Sequence, residues 1–165
     1  MLTDRSRDKA IAIGLWETEA DIPATDKAGE YYQEQIAKVA QLIAGPPVRE
    51  IYEVGIEIGA TPGGFENAYA RSGTVEAQPG KLSEFIRIFR DSMVPPTQAQ
   101  KGFKGLMVLA NHEANKTFGF SLWETEADAR TVETSSVAFQ AQADKVKDII
   151  TEVPTTEYLE VSLHV

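Results

Sequence analysis

Two tryptophans, Trp16 and Trp123, head identical hexapeptides, Trp-Glu-Thr-Glu-Ala-Asp, and they are the residues here best suited to holding a planar ligand. An indole at a strand end can line a cavity and stack on an aromatic ring. The small residues before each, Ala12 and Gly14 or Gly119 and Ser121, would leave space for such a ligand, or would merely admit the indole into a core gap. Thr18 and Thr125 stand three residues before Asp21 and Asp128, the spacing of a capping box, so the Glu-Thr-Glu-Ala-Asp that follows each Trp reads as a helix start with acids suited to its dipole. Glu53 and Glu160 alternate with apolar neighbours on their strands and are expected to face away from the helix-packed side. A carboxylate there could act as a base or orient a substrate hydroxyl, with Arg71 or Tyr158 nearby, or could be an ion-paired strand residue, with Arg71 as the partner of Glu160.

Other chemistries have no support in the sequence. The chain has no cysteine, which excludes disulfides and thiolate catalysis. His112 and His164 lie in no motif with metal-ligand spacing, so no metal site is expected. Thr61-Pro62-Gly63-Gly64 lacks the Lys-Ser/Thr and the buried strand of a nucleotide loop, and no Ser/His/Asp constellation is recognisable. A net charge of −9 and a pI near 4.7 argue against nucleic-acid and anionic-membrane partners. A polar N-terminus and the absence of a long apolar run point to a cytoplasmic protein.

The elements that must carry these residues follow from the repeat, because the hexapeptides fix a gapless register. Leu2 falls on Leu109, Lys9 on Lys116, Leu15 on Leu122, Lys38 on Lys145 and Glu53-Val54 on Glu160-Val161. Ala10–Trp16 alternates large and small residues and predicts a strand, as does its counterpart from Phe118 to Trp123. The stripe Tyr32, Ile36, Val39, Ile43, ended by Gly45-Pro46-Pro47, predicts a helix, matched by Phe139, Ala143, Val146 and Ile150. Strands at Glu50–Glu57 and Glu157–His164 complete two strand–helix–strand units. Between them, Ala68–Ala77 predicts a strand, Leu82, Phe85, Ile86 and Phe89 a helix stopped by Val94-Pro95-Pro96, and Phe103–Leu109 a strand with a polar turn after it.

From Ala68 the order is therefore β-α-β-β-α-β, a ferredoxin-like α+β unit. The expected organisation is 1–58 as the second half of such a unit, 59–67 as a linker and 68–165 as a complete domain. The first half-unit lacks the strand that normally separates its two strands. An upstream segment of roughly forty residues, a swapped strand, a partner, or direct pairing of the two strands would fill the place.

Tyr69-Ala70-Arg71, Gln78-Pro79-Gly80-Lys81-Leu82, Gly102-Phe103-Lys104-Gly105-Leu106 and Ser121-Leu122-Trp123 followed by Glu-Thr-Glu-Ala-Asp carry a resemblance to the antibiotic biosynthesis monooxygenase-like (ABM) domains of the dimeric α+β barrel superfamily. The resemblance implies two ferredoxin-like sheets facing each other, in a homo-oligomer or as an intrachain pseudo-dimer. It also implies a barrel lumen into which Glu160 would project as the catalytic carboxylate, with Trp123, Trp16, Arg71 and Tyr158 binding the ligand. The implied activity is cofactor-independent oxidation of a small planar aromatic or quinol-type metabolite. The alternative is a non-catalytic small-ligand-binding or interaction protein on the same fold. The helix positions where haem-degrading members carry His hold Gln35 and Gln142, and no third Trp exists, which sets this chain apart from haem degradation.

Overall fold

A computed structural model describes residues 1–22, 37–38, 40–41, 43–45, 47–59, 67–134, 144–152 and 154–162, with backbone alone at 132–134. The expected helical positions Tyr32, Ile36, Val39, Phe139 and Ala143, most of the linker, and His164 lie outside the described residues. The chain divides into a unit of Met1–Ala12 with Ile51–Val165 and a second unit of Ile13–Glu50.

Among the described residues, alternating strand sequences in the larger unit build one antiparallel sheet of seven strands. They are β1 (Leu2–Asp4), β2 (Lys9–Ile11), β3 (Glu53–Ile58), β4 (Tyr69–Glu76), β5 (Phe103–Asn111), β6 (Lys116–Trp123) and β7 (Thr156–Val161), in the spatial order β2-β1-β7-β4-β6-β5-β3. β4 lies between β6 and β7, as a ferredoxin-like unit requires. Helix α1 (Leu82–Ile88) passes through a π turn at Phe89–Met93 into α2 (Val94–Gln98), and α3 (Glu126–Thr134) follows β6.

The helices cover one face of the sheet. Val75 of β4 packs with Phe85, Val146 and Ile149, while Ala110 packs with Ala77 and Leu82. Ile56, Leu106 and Val108 pack with Val94, and Trp123 with Ala129 of α3. The opposite face is buried too, through Leu2, Ala70, Met107, Leu109, Phe120, Leu122 and Leu159. Both faces are thus apolar, the condition under which alternation does not reveal which side the helices take.

The prolines do not stop the first helix of the complete unit. Pro95 and Pro96 occupy the first turn of α2, where their missing N–H groups have no intrahelical partner to lose. The wide π turn before them absorbs the interruption, so the helical path continues to Gln98.

The repeat is visible in hairpin geometry. β1 and β2 pair Leu2 with Ile11, Thr3 with Ala10 and Asp4 with Lys9; β5 and β6 pair Leu109 with Phe118, Ala110 with Thr117 and Asn111 with Lys116. Each turn carries one non-glycine residue at positive φ, Asp8 at 51° and Asn115 at 50°. In each, the opening side chain accepts from the N–H three residues on: Asp4 from Arg7 at 3.2 Å and Asn111 from Ala114 at 2.9 Å.

The halves exchange their last strands in the same register. β3 pairs with β5 through Val54–Leu109 and Glu53–Ala110, and β7 pairs with β1 through Val161–Leu2 and Glu160–Thr3. β2 ends at Ile11, however, short of the Trp16 expected from the sequence, and residues 12–16 form no strand. Their counterparts in β6 are held on both sides, by β4 and by β5. In the smaller unit, Glu19–Asp21 is one 3-10 turn, capped by Thr18, whose hydroxyl donates to Asp21 at 2.7 Å.

Candidate functional site

Antiparallel register gathers four of the residues singled out in the sequence on one face. Tyr69 pairs with both Trp123 and Glu160, and Arg71 with both Ser121 and Tyr158. Directly opposed residues share a face, so Trp123, Arg71, Tyr158 and Glu160 all lie on the side where α3 packs. This corrects the expectation that Glu160 points away from the helices. Leu159 is buried, but on the inner face opposite Ala70, and its burial does not mark the helical side.

The centre of the cluster is polar. Arg71 donates from Nη2 to Thr156 Oγ1 at 3.3 Å, and the Arg130 guanidinium of α3 lies 4.1 Å from the centroid of the Tyr158 ring. Arg130 is also held by Glu126, one helical turn earlier, at 2.6 Å. Arg71 and Tyr158 thus lie half-buried on the helical face, with the exposed Arg130 guanidinium over the Tyr158 ring, a donor set suited to a phenolate or another small anion. Thr156 and Arg130 were not singled out from the sequence, and Ser121 was read there as a small residue beside the indole rather than as its hydrogen-bond partner. Only the strand register and the α3 docking bring them here, and neither has a local sequence signature.

Trp123 forms the apolar wall of this cluster. It is 0% exposed, Phe103 meets its ring edge-on at 5.6 Å between centroids, and its indole N–H donates to Ser121 Oγ at 2.9 Å. The small residue at position 121 thus anchors the indole rather than leaving a vacancy beside it. Trp16 is different: it is 43% exposed, and the position of Ser121 is taken by Gly14, which has no hydroxyl to offer. Trp16 belongs to the smaller unit.

Glu160 and Glu53 share a structural part. Glu160 accepts from Arg5 Nε at 3.0 Å, and Glu53 lies 3.5 Å from His112 Nε2. Arg5 and His112 occupy the same place in the two hairpin turns, so each carboxylate ties an exchanged strand to the turn of the other half. Along the register Arg71 faces Tyr158, and Tyr69 faces Glu160. Among the described residues no group of acids and histidines is arranged to hold a metal ion, and no helix is long and apolar enough to cross a membrane.

No protein-family model matches the sequence, and no curated protein does. Solved structures do. The "Putative monooxygenase" of Fusobacterium nucleatum superposes with a TM-score of 0.58 at 19% identity, over 77% of this chain and 57% of that one. A protein of unknown function from Nitrosomonas europaea gives 0.50 at 18% identity, over 61% of this chain and 94% of its own. The "Putative antibiotic biosynthesis monooxygenase" of the same organism gives 0.50 at 14%, over 59% and 94%. The chain has the ABM-like α+β fold expected from its motifs.

Proposed function

We propose that the chain is a small-molecule enzyme of the cofactor-independent monooxygenase-like kind, acting on a planar hydroxylated aromatic between β4, β7 and α3. The observation that carries this reading is the convergence of Arg71, Tyr158 and Arg130 beside the Trp123 wall. Guanidinium donors favour the ionised form of a phenol, and an electron-rich phenolate can reduce dioxygen without a metal or flavin. Deprotonation then passes to solvent, because Glu160 is engaged by Arg5. The ABM-like fold supports the reading at the level of architecture.

A second reading, a non-catalytic ligand-binding protein, is favoured by the sealed packing of Trp123, which presents no ring face to a ligand. Oxygen consumption against a panel of quinols and polyphenols separates the two. Arg71→Gln is expected to lower kcat/KM by about 100-fold, the loss of a charge-assisted contact to a developing anion. Glu160→Gln is expected to stay within about twofold, as an exposed ion pair implies. Oxygen uptake that never exceeds the enzyme-free rate, together with saturable binding of one of the phenols, would establish the second reading.

A further inference from the structure

Gly73 of β4 and Gly119 of β6 are paired directly across their strands, on the face that carries Arg71, Tyr158 and Trp123. Glycine weakens a strand interior, and there it marks a bulge, a close approach of another backbone, or a place where a ligand lies against the main chain. A bulge does not account for these two. β4 and β6 keep an unbroken register from Tyr69–Trp123 to Glu76–Lys116, and the irregularities of the sheet lie in β3 and β5. Nor does another backbone. A Cβ added at Gly73 would meet the Thr155 carbonyl at 3.3 Å, and one at Gly119 would meet Val108 Cγ2 at 3.7 Å and the Met107 carbonyl at 3.8 Å. Among the described residues only the sheet itself comes that near. Thr117, Ser121 and Val108, their neighbours on the same face, are buried, yet both glycines stay partly exposed. The pleat lifts their Cα atoms toward the helical side, so the open surface lies there.

We propose that the Gly73–Gly119 step is the floor on which the substrate ring lies flat and the feature that selects a planar phenol or quinol, which rests on the reading of the Arg71 cluster as an anion site. Arg71 and Ser121 stand one pleat away, about 7 Å along the strands. Thr156 flanks Gly73 in the same row and Val108 flanks Gly119. Because Arg71 reaches Thr156 at 3.3 Å, its guanidinium is drawn to the rim of this floor. The other sides are apolar: Val75 packs with Phe85, Val146 and Ile149, and Val108 with Val94. Polar at one end and apolar at the other, the floor orders a ring with its oxygen at Arg71 and its hydrocarbon edge at Val75. Stacking on bare peptide needs both positions without a Cβ, and a substituent standing out of the ring plane would strike them.

Gly119 is the position to test, since it sits in a strand without a positive φ and its Cβ has room. Valine there suits the strand, so Gly119→Val is expected to keep or raise Tm while weakening 4-nitrophenol at least about tenfold in calorimetry on the whole chain. Gly119→Ala should fall between. A phenol carrying tert-butyl groups should bind about tenfold more weakly than 4-nitrophenol to the unaltered chain. Unchanged 4-nitrophenol affinity in Gly119→Val overturns the floor and leaves the Arg71 reading standing. A Tm lowered by more than about 5 °C in both Gly119→Ala and Gly119→Val makes the glycine a packing requirement and overturns it too. Binding lost in Gly119→Val with the fold intact, but no oxygen uptake with hydroquinone, keeps the floor and removes catalysis. No 4-nitrophenol binding to the unaltered chain overturns both.

Discussion

The two identical Trp-Glu-Thr-Glu-Ala-Asp segments allow one side chain to be removed twice in different surroundings. Trp123 is fully enclosed by Phe103, Ala129 and Tyr158, and its N–H is bound to Ser121. Burying an indole removes about 150–250 Å² from water, worth about 4–6 kcal/mol at about 25 cal/mol per Å². Part of that is recovered by relaxation around the cavity, so Trp123→Ala should cost about 3–5 kcal/mol. Trp16, exposed and without the Ser121 equivalent, should cost at most about 1 kcal/mol when replaced by Ala. In a chain of 165 residues these losses correspond to a Tm lowered by about 10 °C for Trp123→Ala and by no more than about 3 °C for Trp16→Ala. Thermal melts followed by far-UV circular dichroism measure both. Each variant retains one Trp, so emission gives an independent reading: blue-shifted in Trp16→Ala, red-shifted in Trp123→Ala. Equal destabilisation by the two substitutions, or coincident emission maxima, would refute the assignment of one indole to the core and the other to the surface.

Further expectations concern the turns and the joint after Gly102. The Asp4 carboxylate is held below its ordinary pKa of 3.8, first by the Ser6 hydroxyl and then by backbone N–H groups of Ser6 and Arg7. A depressed folded pKa gives stability that is present above the unfolded pKa and lost as pH falls through the folded one. Urea titrations from pH 5 down to pH 2 should therefore show a loss that Asp4→Asn flattens, with the turn kept, since Asn111 makes the same contact in the sister hairpin. Asp8→Gly and Asn115→Gly should each be neutral or stabilising by a few tenths of a kcal/mol in chemical denaturation, because φ near 50° strains any Cβ. Gly102 has φ 76°, and a Cβ there would meet the Asp128 carboxyl at 2.5 Å, so Gly102→Ala should lower stability by about 2 kcal/mol and uncouple the cap of α3.

How much was legible in the sequence depended on whether a residue's neighbours are local. The capping boxes at Thr18 and Thr125, the polar turn between β5 and β6 and the strands of the complete half follow from spacing over a few residues, and the structure has them. Glu160 was misplaced because Leu159, the buried residue of β7, lies on the sheet face away from the helices, opposite Ala70. Pro95 and Pro96 looked like a stop because a π turn that lets a helix restart leaves no trace in composition. The strand expected to reach Trp16 halts at Ile11, since its propensity is not enough without partners on either side. Arg71, Tyr158 and Trp123 share one face of the sheet, and Arg130 joins them only through the docking of α3. Its presence is a fact of tertiary structure.

The pairing of Leu2 with Val161, and of the Ser162 N–H with the Met1 carbonyl at 3.1 Å, carries a kinetic consequence. A contact between the first and last strands closes a loop of almost the whole chain, and the entropy of that closure is lost before the contact contributes anything. During synthesis β1 and β2 are made well before β7 and wait for it. The β5–β6 hairpin and its packing on β4 need no such delay. Refolding should accordingly run in two phases, a fast one that forms the β4–β6 meander and a slow one that seats β7 against β1.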